Sequence, residues 1–262
     1  MGKFWAFVFL LIPVLGVAVF VAAADDANYW FPIDVSEYGH NVDRLFMVIL
    51  WLTGAVFVAT EIALVWFILR YDRKANTAPV KFTHGSHTLE VVWTVLPAAT
   101  LLFIAIYQMN VWADTKVRRP EEPGVVVEVT ARQFEWRLRY PGDDGKFDTP
   151  DDIYTVNDLH VPVDEEIMVR LKSQDVLHSF FLPNLRVKQD AVPGMEIPVW
   201  FKAKSQGAFD LVCAELCGWG HYKMKGRLTV QSRADFDRWL AELEAEGQRT
   251  QSEAVENSET EE

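Results

Sequence analysis

Two long apolar runs joined by a short polar connector constrain this chain more than any other feature. They extend from about Leu45 to Leu69 and from about Val91 to Val111. Each is long enough to cross the hydrocarbon core of a bilayer, which takes about 20 apolar residues in a helix. Because lipid offers no hydrogen bonds to backbone amides, both runs are predicted to be helices. The short connector makes them an antiparallel hairpin.

Basic residues between the two runs set the orientation of this hairpin. Arg70, Arg73, Lys74 and Lys81 cluster there, and such residues are retained on the cytoplasmic side of a membrane. The connector is therefore predicted to be cytoplasmic. The chain that follows Trp112 is then predicted to face the outside.

A third apolar stretch, residues 4–23, opens the chain behind Lys3 and ends at Ala22-Ala23-Ala24. Its length is just sufficient for a membrane span. A basic start, an apolar middle and small residues at the end are equally typical of a signal peptide. Both interpretations remain open at this point.

Two acidic residues in the membrane region call for an interpretation. Glu61 falls within the run Leu45–Leu69, where a charge is costly, so a neutral or hydrogen-bonded carboxyl at a helix–helix contact is preferred. Glu90 lies at the predicted start of the following helix. An acid at a helix N-terminus interacts favourably with the helix dipole.

From Gly124 onward the pattern changes to short alternating segments rich in valine and aromatic residues, separated by turn signals such as Pro193-Gly194. Many short strands with turns at this spacing predict a β-sandwich or barrel. The predicted strands are Val125–Thr130, Phe134–Tyr140, Glu166–Leu171, Ile197–Phe201, Ala208–Val212 and Arg227–Val230.

The charge of the chain is distributed unevenly. The formal net charge is -12, which argues against nucleic acid as a partner. Asp143–Asp152 is an acidic loop without the twelfth-position glutamate of a calcium-binding EF-hand, so a solvated turn is expected.

Residues 233–246 predict a surface helix with Phe236, Leu240 and Leu243 on one face. The glutamate-rich tail from Gly247 is expected to be disordered.

These features together predict five parts. They are a signal peptide or first transmembrane helix at 1–24, an external linker at 25–43, a transmembrane hairpin at 44–112 with a cytoplasmic loop near 71–89, a strand-rich domain at 113–232, and a surface helix with an acidic disordered tail at 233–262.

The segment Cys213–Met224 concentrates the chemistry of the strand-rich domain. It contains Cys217 and His221 as well as its two terminal residues, and another imidazole, His178, stands upstream. Thiolate, thioether and imidazole are ligands that copper selects. One cysteine, two histidines and a methionine would make a blue-copper site. The additional Cys213 favours a pair of copper ions bridged by two thiolates.

Three other interpretations of this segment compete with a copper site. The two cysteines, which are the only ones in the chain, could form a disulfide, but the histidines and the methionine would then have no purpose. Zinc accepts a set of two cysteines and two histidines, but the spacing does not match a zinc finger, and zinc has no redox chemistry. His178 could be a core histidine, although Asp175 and Ser179 give it polar surroundings.

Over roughly residues 40–232 the chain resembles subunit II of haem–copper cytochrome c oxidases. The resemblance implies a membrane-anchored all-β protein, with the helical hairpin followed by a cupredoxin-like Greek-key β-barrel that holds the dinuclear copper centre CuA. The segments that carry it are Leu89–Pro97, Asp175–Phe180, Lys188–Gly194 and Cys213–Met224.

The resemblance also implies roles for single residues. Cys213 and Cys217 would bridge the two copper ions. The remaining ligands would be His178 and Met224 for one copper ion, and His221 with the backbone carbonyl of Glu215 for the other. In the family the Glu215 side chain also reaches a magnesium ion at the boundary with subunit I.

Three further positions follow from the same resemblance. Glu90 matches a glutamate at the mouth of a proton-uptake path into subunit I. Electrons enter the family's copper centre from cytochrome c at an aromatic-rich strand. In this chain Phe134 stands where a tryptophan is common, while Trp136 is retained.

The function implied is that of an electron-accepting oxidase subunit, with oxygen reduced to water in subunit I and protons pumped. The partners implied are subunit I, other oxidase subunits, cytochrome c or another donor, and membrane lipid. The location implied is a bacterial inner membrane with the copper domain on the periplasmic side. A membrane-tethered copper carrier or copper-delivery protein is the alternative, although a tether needs only one span.

Overall fold

The computed structural model of the chain describes residues 2–24, 31–72, 79, 82 and 84–260. Its α-helices are α1 (Gly2–Ala24), α2 (Gly39–Tyr71), α3 (His87–Lys116) and α4 (Arg233–Thr260). The first three are long and apolar enough to cross a membrane. The predicted hairpin helices are thus present, each longer than its apolar run. Of the basic connector, Arg73, Lys74 and Lys81 lie outside the described residues.

The N-terminal stretch forms a helix that packs on the hairpin. The rings of Phe20 in α1 and Trp51 in α2 meet edge to face, with centroids 5.2 Å apart. In α2 one carboxylate oxygen of Glu61 is buried without a hydrogen-bond partner among the described residues. Of the two predicted states of Glu61, neutral or hydrogen-bonded, this oxygen gives no support to the second among the described residues.

The strand-rich domain consists of two five-stranded sheets. The strands are β1 (Val125–Arg132), β2 (Glu135–Tyr140), β3 (Ile153–Val156), β4 (Asp158–Pro162), β5 (Glu166–Ser173), β6 (His178–Leu182), β7 (Val187–Ala191), β8 (Ile197–Lys202), β9 (Gly207–Cys213) and β10 (Lys225–Gln231). The strand orders of the two sheets are β3-β2-β1-β5-β8 and β4-β10-β9-β6-β7. Most neighbouring strands are antiparallel, while β1 with β5 and β10 with β4 are parallel.

One hydrophobic core lies between the two sheets. Val127 and Val129 of the first sheet, and Phe180 and Leu211 of the second, belong to the same buried cluster. In β5, buried and half-buried residues alternate along most of the strand, because successive side chains of a strand point to opposite faces. The domain is therefore a sandwich with one filled interior, as the strand pattern predicted.

Four strands were missing from the sequence prediction. In β6, four of the five residues are buried, so no alternation identifies it. In contrast, β7 carries lysine, glutamine and aspartate, and β3 has only four residues. Strand β4 ends in Pro162, a residue that normally argues against a strand.

The segment Asp34–His40 belongs to the sandwich, although it precedes the hairpin in sequence. Val35 is 4% exposed and part of the core. Its carbonyl accepts a hydrogen bond from the backbone N–H of Lys204, and Glu37 donates to the carbonyl of Lys202. We call this segment the strap. The prediction of an irregular linker at 25–43 is therefore wrong from Asp34 onward, because the strap extends the edge of β8 and α2 begins at Gly39.

The acidic loop between β2 and β3 is anchored rather than solvated throughout. The side chain of Asp152 is 1% exposed, and its carboxylate pairs with Arg139 at 3.0 Å. Asp148 pairs with the same guanidinium. Phe147 lies near Arg139 and Arg170, whose guanidinium carbons are 5.3 and 5.1 Å from its ring centroid. The expectation of a solvated turn therefore holds for the exposed residues 143–146, whereas Arg139 of the first sheet holds Asp148 and Asp152.

Helix α4 packs on the sandwich at β3 and β4. Phe236 is buried, and Leu240 and Leu243 pack against the core, which confirms the predicted apolar face. The Trp239 ring stacks on His160, with centroids 3.9 Å apart. The tail predicted to be disordered is helical as far as Thr260. Alanine, glutamate and glutamine are good helix formers, and no proline interrupts them.

Candidate metal centre

Two neighbouring strands of the second sheet bring the upstream histidine to the cysteine segment. His178 is the first residue of β6 and Cys213 the last residue of β9, and Phe180 pairs with Cys213 in the ladder. The His178 side chain is fully buried. Its Nδ1 lies 3.9 Å from the sulfur of Cys213. A residue that the sequence separates widely is thus placed beside the cysteine by sheet register.

The loop between β9 and β10 carries the other candidate ligands. It is closed at its base by a 3.1 Å hydrogen bond from the backbone N–H of Cys213 to the carbonyl of Met224. The sulfur of Cys217 lies 3.6 Å from Nδ1 of His221 and 3.9 Å from the sulfur of Met224. The sulfur of Cys213 lies 3.2 Å from the carbonyl oxygen of Glu215. All six predicted ligand residues therefore meet at one place.

The two cysteines are not joined. Their sulfurs are 3.9 Å apart and both thiols are free, whereas a disulfide bond is about 2.05 Å long. A separation of this size is common between two ligand atoms that share a metal ion, since metal–sulfur bonds are about 2.3 Å long. The arrangement favours metal binding over the disulfide interpretation.

The donor set fits copper. Ligand atoms of His178, Cys213 and Cys217 lie within 4.8 Å of one another, and all three residues are buried. Met224, with its soft thioether, is also buried. Thiolate, thioether and imidazole together suit copper. Burial among apolar neighbours also protects such a site from water, which helps to set its redox potential.

An aspartate orients the buried histidine. Nε2 of His178 lies 2.8 Å from Oδ1 of Asp175, so the ring donates its Nε2–H to the carboxylate and turns the Nδ1 lone pair toward Cys213. The other carboxylate oxygen accepts a 2.7 Å hydrogen bond from the backbone N–H of Gln133. The sequence interpretation noted Asp175 only as polar surroundings. Its position three residues before a ligand histidine was the available signal.

The two thiols differ in acidity because they are close neighbours. Burial opposes ionisation of Cys213, but hydrogen bonds with His178 and with the backbone of Ser179 and Glu215 outweigh it and lower the pKa of Cys213 to about 6. Burial, followed by the charge on Cys213, raises the pKa of Cys217 to about 11. The Cys213 thiol is thus the first of the two to ionise, and the Cys217 thiolate forms when a bound cation compensates its charge.

The aromatic residues near the centre occupy very different environments. Trp136 is fully buried, and its ring centroid is 6.3 Å from that of His178. Phe134 is half-buried beside the ligand loop. Trp219, which the sequence interpretation did not single out, is 80% exposed and meets Phe134 edge to face, with centroids 5.2 Å apart. Its place between two glycines within the ligand segment was the signal that could have identified it.

Glu90 lies far from these residues in sequence and in a different structural unit. It is in the first turn of α3, and its side chain is 54% exposed, with a carboxylate oxygen 3.8 Å from Nδ1 of His87. The first-turn position agrees with the predicted helix-terminal acid.

Two family models match the chain. One describes the periplasmic domain of cytochrome c oxidase subunit II and matches residues 141–231, and the other describes the transmembrane domain of the same subunit and matches residues 24–111. The alternative cytochrome c oxidase subunit 2 of Bradyrhizobium diazoefficiens is 30% identical over 234 residues, which are 81% of this chain and 83% of that protein.

Similar proteins also include the cytochrome c oxidase subunit 2 of Thermostichus vulcanus, which is 29% identical over 82% of this chain and 78% of its own length. Among solved structures, the periplasmic domain of subunit II of cytochrome oxidase from Bradyrhizobium japonicum is 30% identical, with a TM-score of 0.43. The match covers 48% of this chain and 96% of that one.

Proposed function

The chain belongs to the family of cytochrome c oxidase subunit II, and on that premise we propose that it receives electrons from a c-type cytochrome at a dinuclear copper centre. From there the electrons pass to the haem and copper groups of subunit I, where oxygen is reduced to water and protons are pumped. The observation that carries this proposal is the cluster of two free thiols, two imidazoles and a thioether in the strand-rich domain.

The number and placement of the ligands support two copper ions rather than one. Each cysteine sulfur lies within 4 Å of the other and of one histidine nitrogen, Cys213 beside His178 and Cys217 beside His221. A single ion that used both pairs would leave the thioether and the Glu215 carbonyl without a role. Two copper ions held by both thiolates would use every donor, since His178 and Met224 could hold one ion and His221 with the Glu215 carbonyl the other.

A dinuclear copper centre bridged by thiolates takes up and releases a single electron that both ions share. The protein's contribution is to hold the ligands in one geometry through both redox states. Sheet register fixes His178 against Cys213, and Asp175 fixes the orientation of the His178 ring. The hydrogen bond from Cys213 to Met224 closes the loop. Ligands fixed in this way reduce the rearrangement that electron transfer requires.

Two further roles belong to the same proposal. The Glu215 side chain, on the loop whose carbonyl faces the copper centre, would bind a magnesium ion at the boundary with subunit I. Glu90, exposed in the first turn of α3, would deliver protons to the uptake path of subunit I. The chain would lie in a bacterial inner membrane, with the copper domain in the periplasm.

The test is the copper content and electron paramagnetic resonance spectrum of the full chain purified in detergent, with Cys217→Ser as the variant. Two copper ions that share one unpaired electron are expected in the wild type, with loss of that spectrum and of oxidase activity in the variant. One copper ion with an ordinary blue-copper spectrum would favour a tethered electron carrier instead. Normal turnover of the variant oxidase would refute the bridging role of Cys217.

A further inference from the structure

We propose that Trp219 is the residue through which electrons enter the copper centre from the donor cytochrome. This inference rests on the proposed function and adds the contact point of the donor. Trp219 is two residues after Cys217 and two before His221, so a single glycine separates it along the chain from each of two ligands. Its side chain is 80% exposed. An exposed tryptophan beside a buried redox site is well placed to touch an external donor.

The loop geometry forces this tryptophan outward. A Cβ atom added at Gly220 would lie 2.5 Å from Cδ2 of the Phe134 ring, and one at Gly218, which has φ +132°, would lie 2.8 Å from Nε2 of Gln133. Both glycines thus let the loop backbone lie directly on Phe134 and Gln133. The side chain between them projects to solvent and meets Phe134 only at a ring edge.

Trp136 and Phe134 are poorer candidates than Trp219 for first contact. Trp136 is fully buried, so a partner protein has no access to it. Phe134 is half-buried, and the glycine backbone and the Trp219 ring cover parts of it. Phe134 is therefore a positioning residue that supports Trp219. Large exposed aromatic side chains mark partner sites, and tryptophan is enriched among the residues that dominate binding energy.

The charge beside the ring indicates how Trp219 works. The ammonium of Lys223 lies 5.9 Å from the Trp219 ring centroid, and a cation at that position disfavours a positively charged, oxidised indole. The ring then mediates the transfer of the electron and is not itself oxidised to a stable intermediate. In the step, the ferrous haem of the donor is oxidised by one electron and the copper centre is reduced by one. No proton moves.

The first experiment uses the assembled oxidase with Trp219→Leu, Trp219→Phe or the control Tyr154→Leu, which removes an aromatic side chain that is 65% exposed on β3. The probe is a soluble, reduced c-type cytochrome from the same organism. Trp219→Leu is expected to lower kcat/KM for this donor at least tenfold, the usual size of a dominant contact. Trp219→Phe and Tyr154→Leu are expected to stay within about threefold.

A second set of measurements separates electron entry from a structural role. Copper content, the electron paramagnetic resonance spectrum and the rate of reduction by ascorbate with a small mediator should be unchanged in Trp219→Leu. The dissociation constant of the cytochrome from the copper-free full chain should rise about tenfold in this variant, independently of turnover. The measurement of this dissociation constant does not require copper in the metal centre.

Three results would overturn the proposal. They are donor oxidation by Trp219→Leu within twofold of wild type, an equal loss with the small reductant, or an altered copper spectrum in that variant. The last two would make Trp219 a structural residue of the loop. A wild-type chain that binds no copper would instead refute the proposed function, so the two failures are distinguishable.

Discussion

Nε2 of His178 lies 2.8 Å from Oδ1 of Asp175, three residues earlier in the chain. This contact joins the buried ligand strand β6 to the turn between β1 and β2, because the second oxygen of Asp175 accepts the backbone N–H of Gln133. One carboxylate therefore fixes both the histidine tautomer and the loop on which Phe134 stands. Such partners of metal ligands contribute strongly to metal affinity.

Replacement of Asp175 by asparagine should weaken copper binding by about 10- to 100-fold, the range found for groups that orient ligand histidines. The amide can still accept a hydrogen bond but no longer carries the charge that favours the Nε2–H tautomer. Equilibrium copper titration of the full chain measures the effect. The matched control is Asp210→Asn, an exposed aspartate of β9, and equal losses in both variants would refute a specific role.

Met224→Leu should alter the copper centre, whereas Met195→Leu should not. The Met224 sulfur is buried and lies 3.9 Å from the Cys217 sulfur, while Met195 is 54% exposed. Leucine conserves the volume at a cost usually below about 1.5 kcal/mol, so the fold should persist. A change in redox potential and optical spectrum is expected only for Met224→Leu, because a weak thioether ligand tunes the potential of copper. Equal spectra in both variants would remove Met224 from the ligand set.

Val35→Ala should destabilise the outer domain by about 1–2 kcal/mol, as expected when a buried side chain loses two methyl groups. Val35 is 4% exposed, and its neighbour Ile33 is 65% exposed, so Ile33→Ala serves as the control. Thermal unfolding of the full chain in detergent, followed by near-ultraviolet circular dichroism, measures the difference. An unchanged midpoint for Val35→Ala would mean that the strap contributes little.

Glu196 should contribute stability that depends on pH. Hydrogen bonds from Arg170, opposed by burial and reinforced by Lys172, lower the pKa of Glu196 to about 2. Because the folded-state pKa is depressed, this contribution is present above the ordinary glutamate pKa of about 4.3 and is lost as pH falls through about 2. Solvent screening of this partly exposed pair limits it to about 1 kcal/mol or less.

The corresponding measurement compares the unfolding midpoints of Glu196→Gln and wild type at several pH values. The variant should be less stable at pH 6 and the gap should narrow steadily below pH 4. Glu242→Gln, at an exposed position of α4, is the matched control for the loss of one carboxylate. A gap that stays constant down to pH 2 would contradict the assignment.

Glu90→Ala should slow proton uptake by the assembled oxidase while copper content stays at the wild-type level. The residue is exposed at the start of α3 and is not part of the metal centre. Glu90→Gln, which keeps the shape but not the charge, separates proton delivery from helix capping. Proton uptake measured with a pH indicator after rapid oxidation of the reduced enzyme gives the rate. Loss of copper from Glu90→Ala would indicate misfolding instead.

The sequence predicted best those features that follow directly from the chemistry of single residue types, such as apolar or metal-binding side chains. The apolar runs predicted the membrane helices, and the spacing of Cys213, Cys217, His221 and Met224 predicted the ligand cluster. These patterns work because lipid allows few backbone structures and because few side chains bind soft metals.

Long-range pairing left weaker signals. The strap was interpreted as a linker because Val35 is its one residue in the hydrophobic core cluster, and its backbone hydrogen bonds with Asn184, Lys202 and Lys204 leave no mark in the sequence pattern. The acidic loop was interpreted as solvated because the pairing of Asp152 with Arg139 depends on sheet geometry. The outward position of Trp219 depends on the close approach of Gly220 to Phe134. None of these contacts is encoded in local periodicity.

The strap makes the membrane hairpin an insertion within the outer domain. Residues Asp34–His40 are synthesised before α2, and the rest of the domain follows α3. Both parts reach the same side of a membrane only when the two intervening helices have each crossed it. If one helix failed to insert, Val35 and the strands that follow α3 would lie on opposite sides of the bilayer. The core of the sandwich is therefore complete only when both helices have crossed the membrane.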